Sequence, residues 1–386
     1  TFGTGTCPGL TGMAGYTQLN PRTGALSQLI QFRGAIHPEE LQTEPTVFSL
    51  ISDAGNRATS VGLTRFMASP LTRAALCGSD YIGHDDANKR VRIAADTAKE
   101  PGLTYLYMRE IDKAGHAYGW HSDEWQVALE RVDMRLGQLH RQVPKGTLIV
   151  VIADHGMATA DQGDEARIDM ALDPVLQQGV RLVGGEPRAT MLYAQDGVDA
   201  ESIAERWRAR LGDRAWIRTK QQVIDCGLLG PMRPDVPEML GDVFVYAARE
   251  NTIVDTRSQT EGATRMPGVH GSQTMMEIGC ALPHRSRRLN PTYSVVFMRI
   301  LAEHDLVPAW HRCPVRSVRR MLLRGVPVDL WLLLGGGVVV AMLLRLALHG
   351  IRLDGRTLGP GVLRSELRWS LLLGVQCADR HTFAQL

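Results

Sequence analysis

The sequence is poor in lysine and carries no strong excess of either charge. Five of its 43 basic residues are lysines, and the formal net charge of the 386-residue chain is only +2 at pH 7. This balance argues against a nucleic-acid-binding protein and against an acidic tail. Because the arginines are spread along the whole chain, we interpret their excess as genome composition rather than phosphate recognition.

Closely spaced cysteines and a visible leader sequence are also missing. The six cysteines are scattered without a CxxC pair, which argues against a disulfide framework or a cysteine-based zinc site and fits a reducing compartment. No signal peptide is visible at the start, so we expect a cytoplasmic location. Because the chain begins with Thr1 rather than Met, membrane association or export stays open.

Apolar runs of full membrane-spanning length are absent as well. The run LWLLLGGGVVVAMLL at Leu330–Leu344 has 15 uncharged residues and three consecutive glycines, whereas a membrane helix needs about 20 apolar residues. Three interpretations remain open: a buried or irregular segment, a membrane helix that contacts lipid through 330–344, and a tail translated out of frame.

The hydrophobic pattern that is present predicts an α/β fold. TYLYMR at Thr104–Arg109 and TLIVVI at Thr147–Ile152 are typical of buried strands. Between them, Ser122 can cap a helix with apolar residues at spacings of three and four. These residues are Trp125, Leu129, Val132, Leu136, Leu139 and Val143. Because strand, helix and strand in this order form a parallel unit, we expect a mostly parallel central sheet flanked by helices.

Residues of metal-ligand type follow both strands. Asp112 and His116 are four apart and project to one side of a helical turn. Asp154 and His155 directly follow TLIVVI and can converge only where that strand ends. His270 lies in a third glycine-flanked segment, PGVHG. Since open α/β sheets bind ligands beyond the carboxyl ends of their strands, this mixture of carboxylate and imidazole favours a Zn²⁺ site, or Mn²⁺ with more oxygen ligands.

Each cluster also has an interpretation without a metal. Asp112 and His116 can be a helix N-terminal acid and a surface histidine, and His270 can be an ordinary loop histidine. Asp154 and His155 are harder to explain in this way, because a charge beside a buried strand lowers stability unless a partner or ligand binds it. The three clusters together, in this order, favour a metal site.

Three segments resemble motifs of the type I phosphodiesterase/nucleotide pyrophosphatase family, in the alkaline phosphatase superfamily. IDKAGHAYGWHS is similar to its D-x-x-G-H-x-x-G-x-x-S segment, VIADHGM to its SDHGM segment, and GVHGSQ to its late HG segment. PGLTGMAGYT resembles its P-x-x-H-G-x-x-G loop, with Thr11 where the family often has His. The resemblance covers residues 1 to about 277 and implies an alkaline-phosphatase-like fold.

Carried over residue by residue, the resemblance implies two divalent metals, Zn²⁺ or alternatively Mn²⁺. Asp112, His116 and His270 would bind one metal, and Asp154 and His155 the second. The family's first Asp and its Thr or Ser nucleophile have no match here and would lie upstream of the chain's first ten residues. The resemblance therefore implies a chain truncated at its N-terminus.

The same resemblance implies hydrolysis of phosphodiester or pyrophosphate bonds through that upstream hydroxyl. The substrate would be a small phosphorylated molecule or nucleotide, with no nucleic-acid partner. Two alternatives stay open: a phosphomonoesterase or phosphonate hydrolase with the same metal ligands, and a catalytically inactive metal-binding remnant.

The composition changes after the last motif. Residues 311–386 contain eleven arginines and four acidic residues, and CALPHRSRRLN stands where the resemblance implies an apolar strand. We therefore expect a metal-dependent phosphodiesterase/phosphatase-like domain over 1–277, in which 160–245 is inserted or loop-rich. An atypical arginine-rich tail, membrane-associated or frameshifted, is expected over 278–386.

Overall fold

Two sheets organise the protein, which we describe from a computed structural model. The structure describes residues 2–160, 163 and 165–278, and the backbone of two later strands. The strands are β1 (Thr17–Asn20), β2 (Ala25–Gln28), β3 (Arg57–Gly62), β4 (Asp80–Gly83), β5 (Gly102–Tyr107), β6 (Leu148–Ile152), β7 (Ala158–Thr159), β8 (Arg167–Asp169), β9 (Val180–Glu186), β10 (Ala189–Ala194), β11 (Ala215–Thr219), β12 (Val243–Ala247), β13 (Thr252–Val254), β14 (Gly268–Val269), β15 (His284–Arg285) and β16 (Ser294–Arg299). The α-helices are α1 (Pro8–Thr11), α2 (Pro38–Leu41), α3 (Val47–Asp53), α4 (Pro70–Ala75), α5 (Ala87–Thr97), α6 (Glu110–Tyr118), α7 (Asp123–Gln142), α8 (Pro174–Gln177), α9 (Ala200–Leu211), α10 (Lys220–Asp225), α11 (Glu261–Thr264) and α12 (Met275–Ile278).

The central sheet is mostly parallel, which confirms the predicted fold class. Its strand order is β15-β6-β16-β5-β3-β4. All neighbours pair in parallel except β15, which joins β6 in the antiparallel direction. The predicted strand–helix–strand unit is β5–α7–β6, with β16 lying between its two strands. The carboxyl ends of the parallel strands therefore meet at one edge, the usual place for a ligand site.

Helices cover both faces of this sheet because neighbouring residues of a strand point in opposite directions. On β5, Leu106 joins an apolar cluster with α5 and α7, whereas Tyr105 packs with Phe48 of α3 on the other face. Helix α7 begins after Ser122, whose hydroxyl accepts a hydrogen bond from Trp125 N at 3.1 Å, as the sequence predicts. Burial on both faces explains why β5 and β6 are continuous apolar runs rather than alternating ones.

A second, antiparallel sheet has the strand order β11-β12-β10-β9. Helix α9 packs on it, and its Trp207 is fully buried in an apolar cluster with Leu192 and Val245. Trp207 Nε1 donates a hydrogen bond to Leu176 O at 3.0 Å. The subregion 160–245 thus contains regular strands around an apolar cluster of its own. Its status as an insertion stays a prediction.

The chain beyond Ile278 is described at β15 and β16. The backbone of Ser294–Arg299 pairs in parallel with both β5 and β6, so this part of the predicted tail takes part in the central sheet. The rest of 279–386, including Leu330–Leu344, lies outside the described residues, and the division near residue 277 stays a prediction. Across the described part of the chain, no helix has both the length and the apolar character needed to span a bilayer.

Candidate metal centre

Helix α6 carries the first two predicted ligands. It begins at Glu110, shortly after β5 ends, so its first turn lies at the carboxyl edge of the central sheet. Asp112 and His116 are one turn apart on this helix and face the same side. Asp112 Oδ1 lies 3.1 Å from His116 Nε2, and both side chains are less than one-third exposed.

A backbone carbonyl fixes the orientation of the His116 ring. His116 Nδ1 lies 2.8 Å from Gly268 O, and because a carbonyl can only accept, Nδ1 is the nitrogen that carries the proton in the neutral ring. The lone pair of Nε2 is then directed towards Asp112. Metal-binding histidines are commonly oriented in this way.

The loop after β6 carries the second predicted pair. β6 ends directly before this loop, and Asp154 Oδ2 lies 3.6 Å from His155 Nε2. Gly156 N donates a hydrogen bond to Glu277 O at 2.7 Å, and a Cβ at Gly156 would collide with the backbone of Met276. The φ of Gly156 is not positive, so a left-handed backbone is not the reason for glycine at this position. The structure requires glycine here because the segment around Met276 approaches so closely.

His270 follows β14 and meets both histidines. Its ring stacks on that of His155, with centroids 3.4 Å apart and an interplanar angle of 17°. The centroid of the His116 ring lies 5.2 Å from that of His270. Three segments that are far apart in the sequence therefore converge at one edge of the sheet.

Asp112, His116 and His270 form a donor cluster whose ligand atoms all lie within 4.8 Å of one another. Asp112 Oδ1 is buried, and in the neutral ring the lone pair of His116 Nε2 faces this oxygen at 3.1 Å, so that Oδ1 accepts no hydrogen bond from it. A buried carboxylate oxygen without a donor is unfavourable, and a divalent cation would satisfy it. The donor set therefore fits the cation expected from the sequence.

Asp154 and His155 stand beside this donor cluster rather than within it. The stacking of His155 on His270 joins the two groups. The five side chains are thus brought together, whereas their division between two metals, and their role as ligands, stay predictions.

Burial and charge set the protonation of the cluster in opposite ways. Burial disfavours the Asp112 carboxylate, but the neighbouring His116 outweighs burial and lowers the pKa of Asp112. The pKa of His116 is raised because Asp112 outweighs its burial. Burial lowers the pKa of His155, and lowers that of His270 well below its ordinary value. As the pH falls, protonation of His116 is therefore the first to compete with a metal.

Two motif glycines allow α6 and β14 to approach each other. A Cβ at Gly268 would collide with the carbonyl of Gly115, and a Cβ at Gly115 would collide with the sulfur of Met157. This contact brings the helix that bears His116 against the strand that leads to His270. The glycines in the D-x-x-G-H and G-V-H-G segments therefore allow His116 and His270 to come close enough to form the donor cluster.

Gly268→Ala should weaken zinc binding because the added methyl group forces α6 and β14 apart. Overpacking costs about 1–3 kcal/mol, and if about 1.4 kcal/mol of this falls on the donor cluster, the Zn²⁺ affinity drops about tenfold. Competition with a chelating dye measures that affinity. Gly262→Ala is the matched control, because no atom outside its own helix backbone and its chain neighbours lies within 4 Å of the Cβ it would add. Equal Zn²⁺ affinities in the two variants would contradict the prediction.

Two acidic residues near the donor cluster were missed from the sequence. Glu186 Oε2 lies 4.0 Å from His270 Nδ1, and burial, followed by the charge of Glu277, raises the pKa of Glu186 to about 7. Glu277 forms a buried ion pair with Arg188. The run Glu186-Pro187-Arg188 places two charges directly before the apolar strand β10, which is a weak signal for Glu186 but none for Glu277.

Comparison with known sequences agrees with the three motifs. The family model described as type I phosphodiesterase / nucleotide pyrophosphatase matches residues 1–273. An uncharacterized pyrophosphatase/phosphodiesterase of Schizosaccharomyces pombe is 35% identical over 63 residues, which cover 15% of this chain and 13% of that relative. The chain thus matches a small part of that relative's length.

Two solved structures share the fold. Murine ectonucleotide pyrophosphatase / phosphodiesterase 5, solved as an inactive variant with AMP, has a TM-score of 0.58 at 15% identity and covers 77% of this chain and 78% of its own. Phosphonoacetate hydrolase from Sinorhizobium meliloti 1021, solved with phosphonoacetate, has a TM-score of 0.55 at 18% identity and covers 73% and 76%. At these identities the likeness shows the fold, which is alkaline-phosphatase-like. With the family model matching residues 1–273, the chain belongs to the type I phosphodiesterase / nucleotide pyrophosphatase family.

Proposed function

We propose that the protein hydrolyses phosphodiester or pyrophosphate bonds in a small phosphorylated or nucleotide substrate, with two divalent metals. The observation that carries this proposal is the convergence of Asp112, His116 and His270, with Asp154 and His155 beside them. When bound, two neighbouring divalent cations clamp a phosphoryl group and stabilise the attacking and leaving oxygens. The cytoplasmic location expected from the sequence belongs to the same proposal.

The side chains determine how much positive charge the centre retains. Asp112 and Asp154 bring one negative charge each, and His155 and His270 are neutral because burial lowers the pKa of each ring. Two divalent cations would then keep an excess of positive charge to hold phosphate oxygens. These residues therefore bind and orient the cations, and their two negative charges only partly neutralise the positive charge of the cations.

The nucleophile of the proposed reaction is a Thr or Ser hydroxyl upstream of Thr1, as the resemblance implies. Such a hydroxyl would lose its proton, bond to phosphorus and displace the leaving-group oxygen, and water would then cleave the covalent intermediate and restore the hydroxyl. Asp154 and His155 alone would hold the second metal weakly, because Zn²⁺ sites of this kind use at least three protein ligands. The chain from Thr1 is therefore expected to bind one cation more tightly than the other.

A comparative assay tests the proposal. A longer form that includes the upstream segment and the chain from Thr1 are each given bis(p-nitrophenyl) phosphate, p-nitrophenyl phosphate and phosphonoacetate, with Zn²⁺ or Mn²⁺ and then with chelator. We expect the longer form to prefer the diester and to lose activity with chelator. The chain from Thr1 should be several orders of magnitude slower.

The same assay separates the alternatives. Preference for phosphonoacetate would favour a phosphonate hydrolase, an alternative supported by the likeness to the Sinorhizobium meliloti structure. Preference for the monoester would favour a phosphomonoesterase. Metal binding without turnover of any substrate by the longer form would favour an inactive remnant.

A further inference from the structure

A buried ion pair between Arg188 and Glu277 adjoins the loops that follow His155 and His270, and the proposed chemistry does not use it. Arg188 Nε and Nη2 donate to the two carboxylate oxygens of Glu277 at 2.9 and 2.7 Å. The two side chains are 0% and 1% exposed. Arg188 Nη1 also donates to the carbonyls of Arg249 and Asn251 at 2.7 and 2.6 Å. The guanidinium is thus held at three sides, and a bidentate pair of this kind fixes the plane of the carboxylate.

Glu277 in turn contacts both loops that carry predicted histidine ligands. Its carboxylate accepts hydrogen bonds from Ser272 N at 2.9 Å and from the Thr274 hydroxyl at 2.5 Å, both in the loop that follows His270. Its backbone carbonyl accepts the hydrogen bond from Gly156 N at 2.7 Å, directly after the Asp-His pair. One residue therefore ties together the two loops whose histidine rings stack.

Stability alone gives little reason to keep this pair. Removing two charges from water is unfavourable, and well-packed apolar residues often stabilise a protein as much as a buried ion pair or more. An apolar pair could not, however, accept the hydrogen bonds of Ser272 N and Thr274. The feature specific to the ion pair is therefore the fixed orientation of the two loops.

We propose that Arg188 and Glu277 are positioning residues, which hold His155 and His270 at the separation needed to bind metal. Arg188 orients the carboxylate, the carboxylate holds the loop after His270, and the carbonyl of Glu277 holds the loop after His155. This inference rests on the proposed function, since it concerns the same metal centre.

The test measures Zn²⁺ affinity of the full chain by dye competition and the visible spectrum of bound Co²⁺, which reports ligand geometry. Glu277→Gln keeps the size of the side chain but turns one oxygen into a donor that faces Arg188. Loss of a residue that orients a metal ligand typically lowers metal affinity 10–100-fold. We expect a loss of this size in Glu277→Gln, together with an altered Co²⁺ spectrum. Arg188→Lys keeps the positive charge but loses the bidentate contact. Its Zn²⁺ affinity should lie between those of the unchanged chain and Glu277→Gln.

Asp255→Asn is the matched control, because Asp255 is a buried carboxylate that pairs with Arg257. It should lower stability without changing the Zn²⁺ affinity or the Co²⁺ spectrum of the folded protein. If Glu277→Gln does not fold, the double variant Arg188→Met with Glu277→Leu removes both charges at once and should fold but bind Zn²⁺ at least tenfold more weakly. Wild-type affinity and spectrum in either folded variant overturn the positioning role alone. Absence of Zn²⁺ binding by the unchanged chain overturns this role and the proposed function together.

Discussion

His116→Ala is expected to remove tight zinc binding. The substitution deletes one of three clustered donors and leaves Asp112 and His270, two ligands where Zn²⁺ sites in enzymes use three. Loss of a ligand should lower the affinity more than the 10–100-fold typical for loss of a residue that only orients a ligand. We therefore expect the Zn²⁺ affinity, measured by dye competition, to fall at least about 100-fold. In the longer form, loss of several kcal/mol of charge stabilisation should lower kcat/KM by about 10³-fold or more.

His140→Ala is the control for this experiment. His140 lies in the last turn of α7, and it lies outside the donor cluster of the described residues. The control should keep the Zn²⁺ affinity and stoichiometry of the unchanged chain. If His116→Ala binds Zn²⁺ as tightly as His140→Ala does, the donor cluster is not a metal site.

Among the proposed substitutions, Trp207→Ala should lower the free energy of unfolding the most. Trp207 is fully buried against the antiparallel sheet, and its indole donates a hydrogen bond to Leu176 O. Truncation leaves a cavity and removes the hydrogen bond from the indole, and substitutions of this kind lower the free energy of unfolding by about 3–5 kcal/mol. Urea denaturation followed by circular dichroism measures the change.

The antiparallel sheet offers its own control for that measurement. Trp216 on β11 is 39% exposed, so Trp216→Ala should cost less than about 1 kcal/mol. Equal losses of stability in the two variants would contradict the burial of Trp207 as the cause. Zn²⁺ affinity should be unchanged in both at a temperature where they are folded, because neither residue belongs to the donor cluster.

The central sheet and the proximity of Asp112, His116, Asp154 and His155 were predictable from local sequence, whereas the place of His270 was predicted from the family resemblance. Runs of apolar residues predict buried strands. Polar residues directly after such strands must lie at the carboxyl edge of a parallel sheet. The spacing of Asp112 and His116 places both on one face of α6. The contact of Gly115 with Gly268 was not predictable in this way, because it joins segments that are far apart in the sequence.

Features that depend on distant pairing could not be predicted. Ser294–Arg299 follows an arginine-rich stretch, and nothing in its local pattern shows that it pairs with β5 and β6. Glu186 and Glu277 are single acids without periodic spacing, and Glu277 is buried because Arg188, 89 positions earlier, pairs with it. The assembly of 160–245 was equally hidden, because the strand order β11-β12-β10-β9 depends on which distant strands pair.

The contact between His116 and Gly268 joins residues 152 positions apart, and this separation has a kinetic consequence. Long-range contacts require closure of large chain loops, whose entropy cost delays their formation until much of the fold is in place. A cation held by both α6 and the His270 loop can bind only after that step, and so it stabilises the native chain rather than the transition state for folding. The bound metal would therefore slow unfolding while leaving the folding rate almost unchanged. The native lifetime of the protein, rather than the speed of its formation, would then depend on the supply of metal.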